Sequence, residues 1–154
     1  MKKTIIANYG DPDLGKTTCV KLVCDKLSKV AEDVQVLYTP EQLNGDICVI
    51  VTINGVKVGI SSQGDPRSAQ KPLLDELVGN GCPIIITACR YMGATERNVE
   101  SFQPEYRIMW TCNGRLYENK DDKRIAPKGI QNRFDELWAE EIANLVESWC
   151  YTEN

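Results

Sequence analysis

The sequence predicts a single α/β domain over residues 1–154, with a mostly parallel sheet and one antiparallel hairpin strand. Three observations carry that reading. Short β-branched runs alternate with stretches of helical periodicity. The first crossover is strand, glycine-rich loop, helix. Asn54-Gly55 joins two β-rich runs, the pattern of a tight hairpin.

Residues 4–9 form a short apolar strand, and the glycine loop follows directly. The start, Met1-Lys2-Lys3 and then an apolar run, has the polarity of a secretory signal, but that run is too short and reads as a strand. A helix is expected over 17–31, with Val20, Val23, Cys24, Leu27 and Ala31 on one face. A strand follows over 34–38, then a turn-rich loop over 39–46. The hairpin occupies 47–53 and 56–62, its antiparallel strand expected at a sheet edge. After a loop at 63–71, a helix is expected over 72–78, opened by Pro72 and ended by Gly79 and Gly81. A buried strand follows over 83–89, and the polar stretch 90–105 has room for a short helix. A strand is expected over 106–112, turning at Asn113-Gly114 into a return strand over 115–118. The run 119–128 is charged loop. The final helix, 129–150, carries Phe134, Leu137, Trp138, Ile142, Leu145 and Trp149 on the face assigned to the core. No repeat, linker or second domain is visible.

Composition narrows the chemistry. Apolar residues make up 42% and charged residues 26%, enough for one core and too apolar for disorder. The formal net charge of −4 lacks the basic footprint of a general nucleic-acid binder. No apolar run approaches the roughly twenty residues a membrane span needs. The seven cysteines form no Cys-x-x-Cys pair and sit mostly among apolar neighbours, as buried reduced thiols of a cytoplasmic protein would. There is no histidine, which removes Ser-His-Asp and Cys-His catalysis and histidine-ligated zinc. Acid–base work falls to Asp, Glu, Lys, Tyr, Cys or water.

The chemistry-bearing segment is Gly10-Asp11-Pro12-Asp13-Leu14-Gly15-Lys16-Thr17, which fits Gly-x-x-x-x-Gly-Lys-[Ser/Thr] and is followed by Thr18. Glycines let successive backbone N–H groups turn inward as an anion nest. A helix beginning near Gly15 adds the positive end of its dipole. Lys16 can reach the β- and γ-phosphates of a nucleoside triphosphate, and Thr17 offers a hydroxyl to Mg2+. A plain glycine turn capping a helix needs neither the lysine nor the threonines.

On these residues the chain resembles the P-loop NTPase superfamily. The specific resemblance covers residues 4–18, and its topology extends over about the first ninety. It implies the three-layer sandwich of that superfamily, nucleotide binding with Mg2+, and hydrolysis or phosphoryl transfer. Asp11 and Asp13 depart from the usual loop by opposing phosphate charge. Asp11 also stands where partition-type ATPases carry a second lysine, which argues against that subclass.

The superfamily usually supports Mg2+ with an aspartate at the end of a second strand, and no apolar run followed by Asp occurs here. The nearest candidate follows 56–62, expected to be the strand beside the first. Small GTPases have Asp-x-x-Gly after a comparable strand; here the residues are Ser61-Ser62-Gln63-Gly64. Ser61 through water, or Asp65 directly, are the metal candidates, although Asp65 before Pro66 also suits a turn cap. Gln63 is the candidate for orienting an attacking water, and Arg67, Arg90 and Arg97 for transition-state charge, Arg90 foremost. Asn119-Lys120-Asp121-Asp122 matches the guanine-reading Asn-Lys-x-Asp of GTPases but follows polar residues rather than a buried strand, which favours adenine.

The leading expectation is therefore a small Mg2+-dependent ATP-binding protein that hydrolyses slowly as a switch or module, working with a further protein partner or acceptor substrate. Three alternatives stay open. One is a small-molecule or nucleotide kinase whose acceptor lies over 39–46 and 90–105. The others are a GTPase-like switch and a non-catalytic module stabilised by nucleotide. The loop from Ser61 to Lys71 is expected to sense the γ-phosphate.

Overall fold

The computed structural model describes residues 2–10 and 15–152, so Asp11, Pro12, Asp13 and Leu14 of the glycine loop lie outside the described residues. The order of elements is β1 (Thr4–Gly10), α1 (Lys16–Val30), β2 (Asp33–Tyr38), β3 (Cys48–Ile53), β4 (Val56–Ser61), α2 (Gln70–Gly79), β5 (Ile84–Arg90), α3 (Ala94–Glu100), β6 (Arg107–Thr111), β7 (Tyr117–Asn119), β8 (Arg124–Ile125) and α4 (Lys128–Tyr151). Six strands make one sheet in the order β2-β3-β4-β5-β1-β6, and β7 with β8 makes a separate small hairpin. β4, β5, β1 and β6 are mutually parallel; β3 runs against both its neighbours, so β2 points the same way as the rest.

Strand alternation sorts the core into two faces. Ile6, Ile84, Ile86, Val58 and Ile60 face α1 and α4, which bring Val20, Val23, Leu27, Ala139, Ala143 and Val146. Ile5, Ala7, Ile85 and Cys89 face α2 and α3, which bring Leu73, Leu74, Leu77 and Val99. The result is three layers, helices on either side of a mostly parallel sheet. Among the described residues no helix is long and apolar enough to cross a membrane.

Four expectations are corrected. The antiparallel hairpin strand, β3, lies inside the sheet rather than at its edge, because β2 pairs along it from Asp33↔Thr52 to Tyr38↔Cys48 and takes the edge. The strand beside β1 is β5, not β4. Ile84, Ile85 and Ile86 are fully buried on alternating faces, as a central strand requires, whereas β4 begins half-exposed at Val56 and exposed at Lys57. Among the described residues no return strand pairs with β6. The buried Asn113 is tied to Asn8, and the chain leaves the sheet to form β7, whose partner is β8. The buried stripe of α4 is Gln131, Asp135, Ala139, Ala143, Val146 and Cys150. Trp138, Ile142 and Trp149 only flank it, and Leu137 and Leu145 are exposed, because α4 packs closely on α1 through its small residues.

Candidate functional site

β1, β4 and β5 end at Gly10, Ser61 and Arg90, and because they are parallel these ends share one edge of the sheet. The carboxyl edge of an open parallel sheet is where ligands bind in such folds. A cleft of about 290 Å³ opens there, lined by Gly15, Lys16, Thr17, Thr18, Gly64, Asp65, Ala88 and Arg90. The sheet register sets Gly10 directly beside Arg90, so the start of the glycine loop and the arginine end neighbouring strands at the same edge of the sheet.

α1 begins at this cleft. Gly15 precedes its first residue with φ 74°, a left-handed conformation that a side chain would strain, and its carbonyl accepts the N–H of Cys19 at 2.9 Å. Lys16 is buried, and its Nζ donates to the Gly10 carbonyl at 2.7 Å, folding the ammonium back over the start of the loop. The Thr17 hydroxyl donates to the Ser62 carbonyl at 3.3 Å, while Thr18 is exposed at the rim. Ser62 thereby joins two elements, since its own hydroxyl donates to Asp46 at 2.8 Å and accepts the Ile47 N–H at 2.9 Å.

The opposite wall is the segment after β4. Gly64 passes so close to β5 that an added Cβ would lie 2.7 Å from the Ala88 carbonyl carbon and 2.8 Å from its oxygen. Only glycine fits, and this contact aligns the loop with the cleft. Asp65 Oδ1 accepts the Arg67 backbone N–H at 2.9 Å, and its Oδ2 lies 3.5 Å from Arg90. The Arg67 N–H is the largest influence and, with the Arg90 guanidinium, holds the Asp65 carboxyl below its ordinary range, against an opposing effect of burial that outweighs the Arg90 charge alone. The Asp65–Arg90 pair is long and exposed, so it holds neither side chain firmly.

Of the sequence candidates, Gly15, Lys16, Thr17, Thr18, Asp65 and Arg90 therefore meet at one cleft. Gln63 does not line it. Its Oε1 accepts the Ala69 N–H at 2.9 Å, and it borders a separate hollow with Asp46 and Arg67. Arg97 is exposed on α3. Ser61 is fully buried with its Oγ lacking a hydrogen-bond partner. Alternation puts it on the side of Gly59, which packs against Leu77 and Cys82, away from α1. Ser61 does not line the cleft. Asn119 and Asp122 form the turn between β7 and β8: Asn119 Oδ1 accepts the N–H groups of Asp121 and Asp122, and Asp122 Oδ1 that of Arg124.

Whether Mg2+ fits depends on donors. Among the described residues no group of three or more acidic or cysteine side chains gathers as a cation site. One carboxylate, Asp65, and two hydroxyls, Thr17 and Thr18, line the cleft. That set suits a Mg2+ ion that keeps waters and takes further oxygens from phosphate, and is too sparse to hold the ion alone.

Sequence reasoning missed the support beneath the cleft. Asp135 of α4 is buried below Gly15, whose added Cβ would lie 3.7 Å from Asp135 Oδ2. The carboxylate accepts Gln131 Nε2 at 2.9 Å and Asn113 Nδ2 at 3.4 Å, and Asn8 Nδ2 donates to Asn113 Oδ1 at 3.1 Å. Burial first, and Asp135 second, push the Cys19 thiol far above its ordinary range. Six of the seven cysteines are buried and free; Cys112 is exposed. The available signal was Gln131 and Asp135, polar residues four apart on a stripe that continues as Ala139 and Ala143.

No protein-family model, curated protein or solved structure matches this chain.

Proposed function

We propose that the chain binds the triphosphate of a nucleoside triphosphate with Mg2+ and hydrolyses it slowly. The observation that carries this is the convergence of Gly15, Lys16, Thr17 and Thr18 at the start of α1 with Asp65 and Arg90 in one cleft at the carboxyl edge of a parallel sheet. Lys16 exchanges the Gly10 carbonyl for phosphate oxygens and holds them as a point charge. The α1 N-terminus adds backbone donors and the positive end of its dipole. Thr17 and Asp65 hold Mg2+, which neutralises phosphate charge when bound. Arg90, only loosely paired to Asp65, is available for charge developing on the transferred phosphoryl group. Adenine is preferred over guanine, since the Asn119 and Asp122 side-chain oxygens that guanine reading would use are spent on a turn.

The test is thermal unfolding with magnesium and each common nucleotide. At a hundredfold excess over Kd, linkage stabilises by about 2.7 kcal/mol, a shift of roughly 5–10 °C for a domain of this size. Stabilisation by ATP, lost in Lys16→Ala, supports the reading; no shift with any triphosphate at millimolar concentration overturns it. Phosphoryl transfer to a small acceptor is the second reading. It is favoured by a second hollow on the same sheet edge, bordered by Tyr91, the residue after Arg90.

A further inference from the structure

A hollow of about 500 Å³ lies on the α3 side of the sheet edge, lined by Tyr9, Tyr91, Met92, Glu96, Glu100 and Trp110. Three aromatic rings form its wall. The Tyr9 ring lies 5.8 Å from that of Tyr91 and 6.3 Å from that of Trp110, the latter nearly perpendicular at 79°. Tyr9 is half-buried between them, while Tyr91, Met92 and Trp110 are 58%, 70% and 41% exposed. These rings are not core side chains with frayed edges: they leave apolar surface facing one concavity, where burial against a ligand is favourable.

The charge of the hollow is one-sided. Its charged lining residues are Glu96 and Glu100, four apart on one face of α3. Neither forms an ion pair with a described residue, although Lys71–Asp75 and Lys3–Glu105 pairs form elsewhere. Aromatic faces attract cations through the ring quadrupole, and carboxylates at the rim add Coulombic attraction. An anion such as a phosphate would be repelled. A neutral apolar ligand would gain nothing from the two carboxylates.

We propose that this hollow is a binding site for a small organic cation, an alkylammonium or arylalkylammonium compound whose charged nitrogen lies between the aromatic rings and Glu96 and Glu100. The site is separate from the phosphate cleft in its residues and adjacent to it in the chain, since Tyr9 precedes Gly10 and Tyr91 follows Arg90. The cation site stands without the nucleotide reading, because none of its six residues lines the phosphate cleft.

The experiment uses the full chain without nucleotide. Benzyltrimethylammonium and tetramethylammonium are titrated while intrinsic fluorescence is followed, with benzyl alcohol as the uncharged comparison. Saturable binding of the cations at millimolar concentration or below, absent with benzyl alcohol, is expected. Trp110→Phe should remove the fluorescence response, which separates Trp110 from Trp138 and Trp149. Glu96→Gln combined with Glu100→Gln should weaken binding about tenfold or more with an unchanged melting temperature. Amide and indole NMR shifts confined to Tyr9, Tyr91, Glu96 and Trp110 provide a readout independent of fluorescence. No saturable response to either cation, an equal response to benzyl alcohol, or undiminished affinity in the double glutamine variant would overturn the proposal.

Discussion

Two hollows open from the same edge of the same sheet, yet they have opposite character. The cleft at the start of α1 carries Lys16 and Arg90 against a single carboxylate; the hollow beside α3 carries two carboxylates and three aromatic rings. β5 feeds both, through Arg90 to one and through the next residue, Tyr91, to the other. β1 likewise supplies Tyr9 to the aromatic side and Gly10 to the glycine loop. The sheet therefore supplies position, and the identity of the residue at each strand end decides which charge is welcome. That separation makes the two sites independently breakable.

The sharpest break is Lys16→Ala. Loss of one charge-assisted contact to phosphate costs about 1.5–3 kcal/mol, so nucleotide affinity should fall by roughly tenfold to more than a hundredfold. Tetramethylammonium affinity should not change. Calorimetric titration of both ligands against both proteins checks this. A parallel loss of both would mean that the two hollows behave as one site.

Gly64→Ala comes next. The new Cβ would meet the Ala88 carbonyl at under 3 Å, and backbone cannot yield as a side-chain end can. Overpacking of this kind costs about 1–3 kcal/mol. Asp65 should shift away from Arg90, so turnover falls along with stability. Retained turnover with a lowered melting temperature would detach the loop from the chemistry.

The shared strand gives a pH prediction. Cys89 lies in β5 just before Arg90 and Tyr91, and burial raises its thiol to about 12, with Lys16 opposing. Cys48, in β3, is likewise raised to about 12 by burial. A raised folded pKa means that the native state keeps its proton longer than the unfolded chain. The stabilising effect is complete below pH 9, the unfolded value, and is lost as pH rises toward 12. Each such thiol steepens the decline by up to about 1.4 kcal/mol per pH unit. Unfolding monitored from pH 8 to 10.5 should show this decline, flatter in Cys89→Ala and in Cys48→Ala. An identical slope in both variants would assign the alkaline loss to other groups.

The elements most legible in the sequence were those with a local cause. The Asn54-Gly55 hairpin, the helix after the glycine motif and the strand that opens with Ile84, Ile85 and Ile86 each follow from residues close together, and each forms. What failed was long-range. That β5 rather than β4 lies beside β1 depends on which strand is buried on both faces, a property of the assembled sheet. The return strand failed because Asn113 is held by Asn8, 105 residues earlier in the chain. The site divides the same way. Lys16, Thr17 and Arg90 were legible through motif and strand end, whereas Asp135 supports Gly15 from 120 residues away, and Tyr9, Tyr91 and Trp110 meet only because β1, β5 and β6 are neighbours.

Gln63 offers the finest discrimination. Its place after the β4 strand suggests a water-orienting role, but its side chain turns from the cleft to accept the Ala69 N–H just before α2. That N–H belongs to the residue preceding the helix, and no side chain of α2's own caps it. Gln63→Ala removes one partly buried hydrogen bond, worth about 1 kcal/mol, or a melting shift of only a few degrees. Nucleotide affinity and turnover should stay within about twofold of the unchanged protein. Gln63→Glu keeps an acceptor for Ala69 and should recover most of the lost stability. A tenfold fall in turnover with an unchanged melting temperature would mean that Gln63 swings into the cleft when nucleotide binds. The segment from Ser61 to Lys71 would then move as the sequence reading expects, and the hydrogen bond to Ala69 would be the contact it breaks.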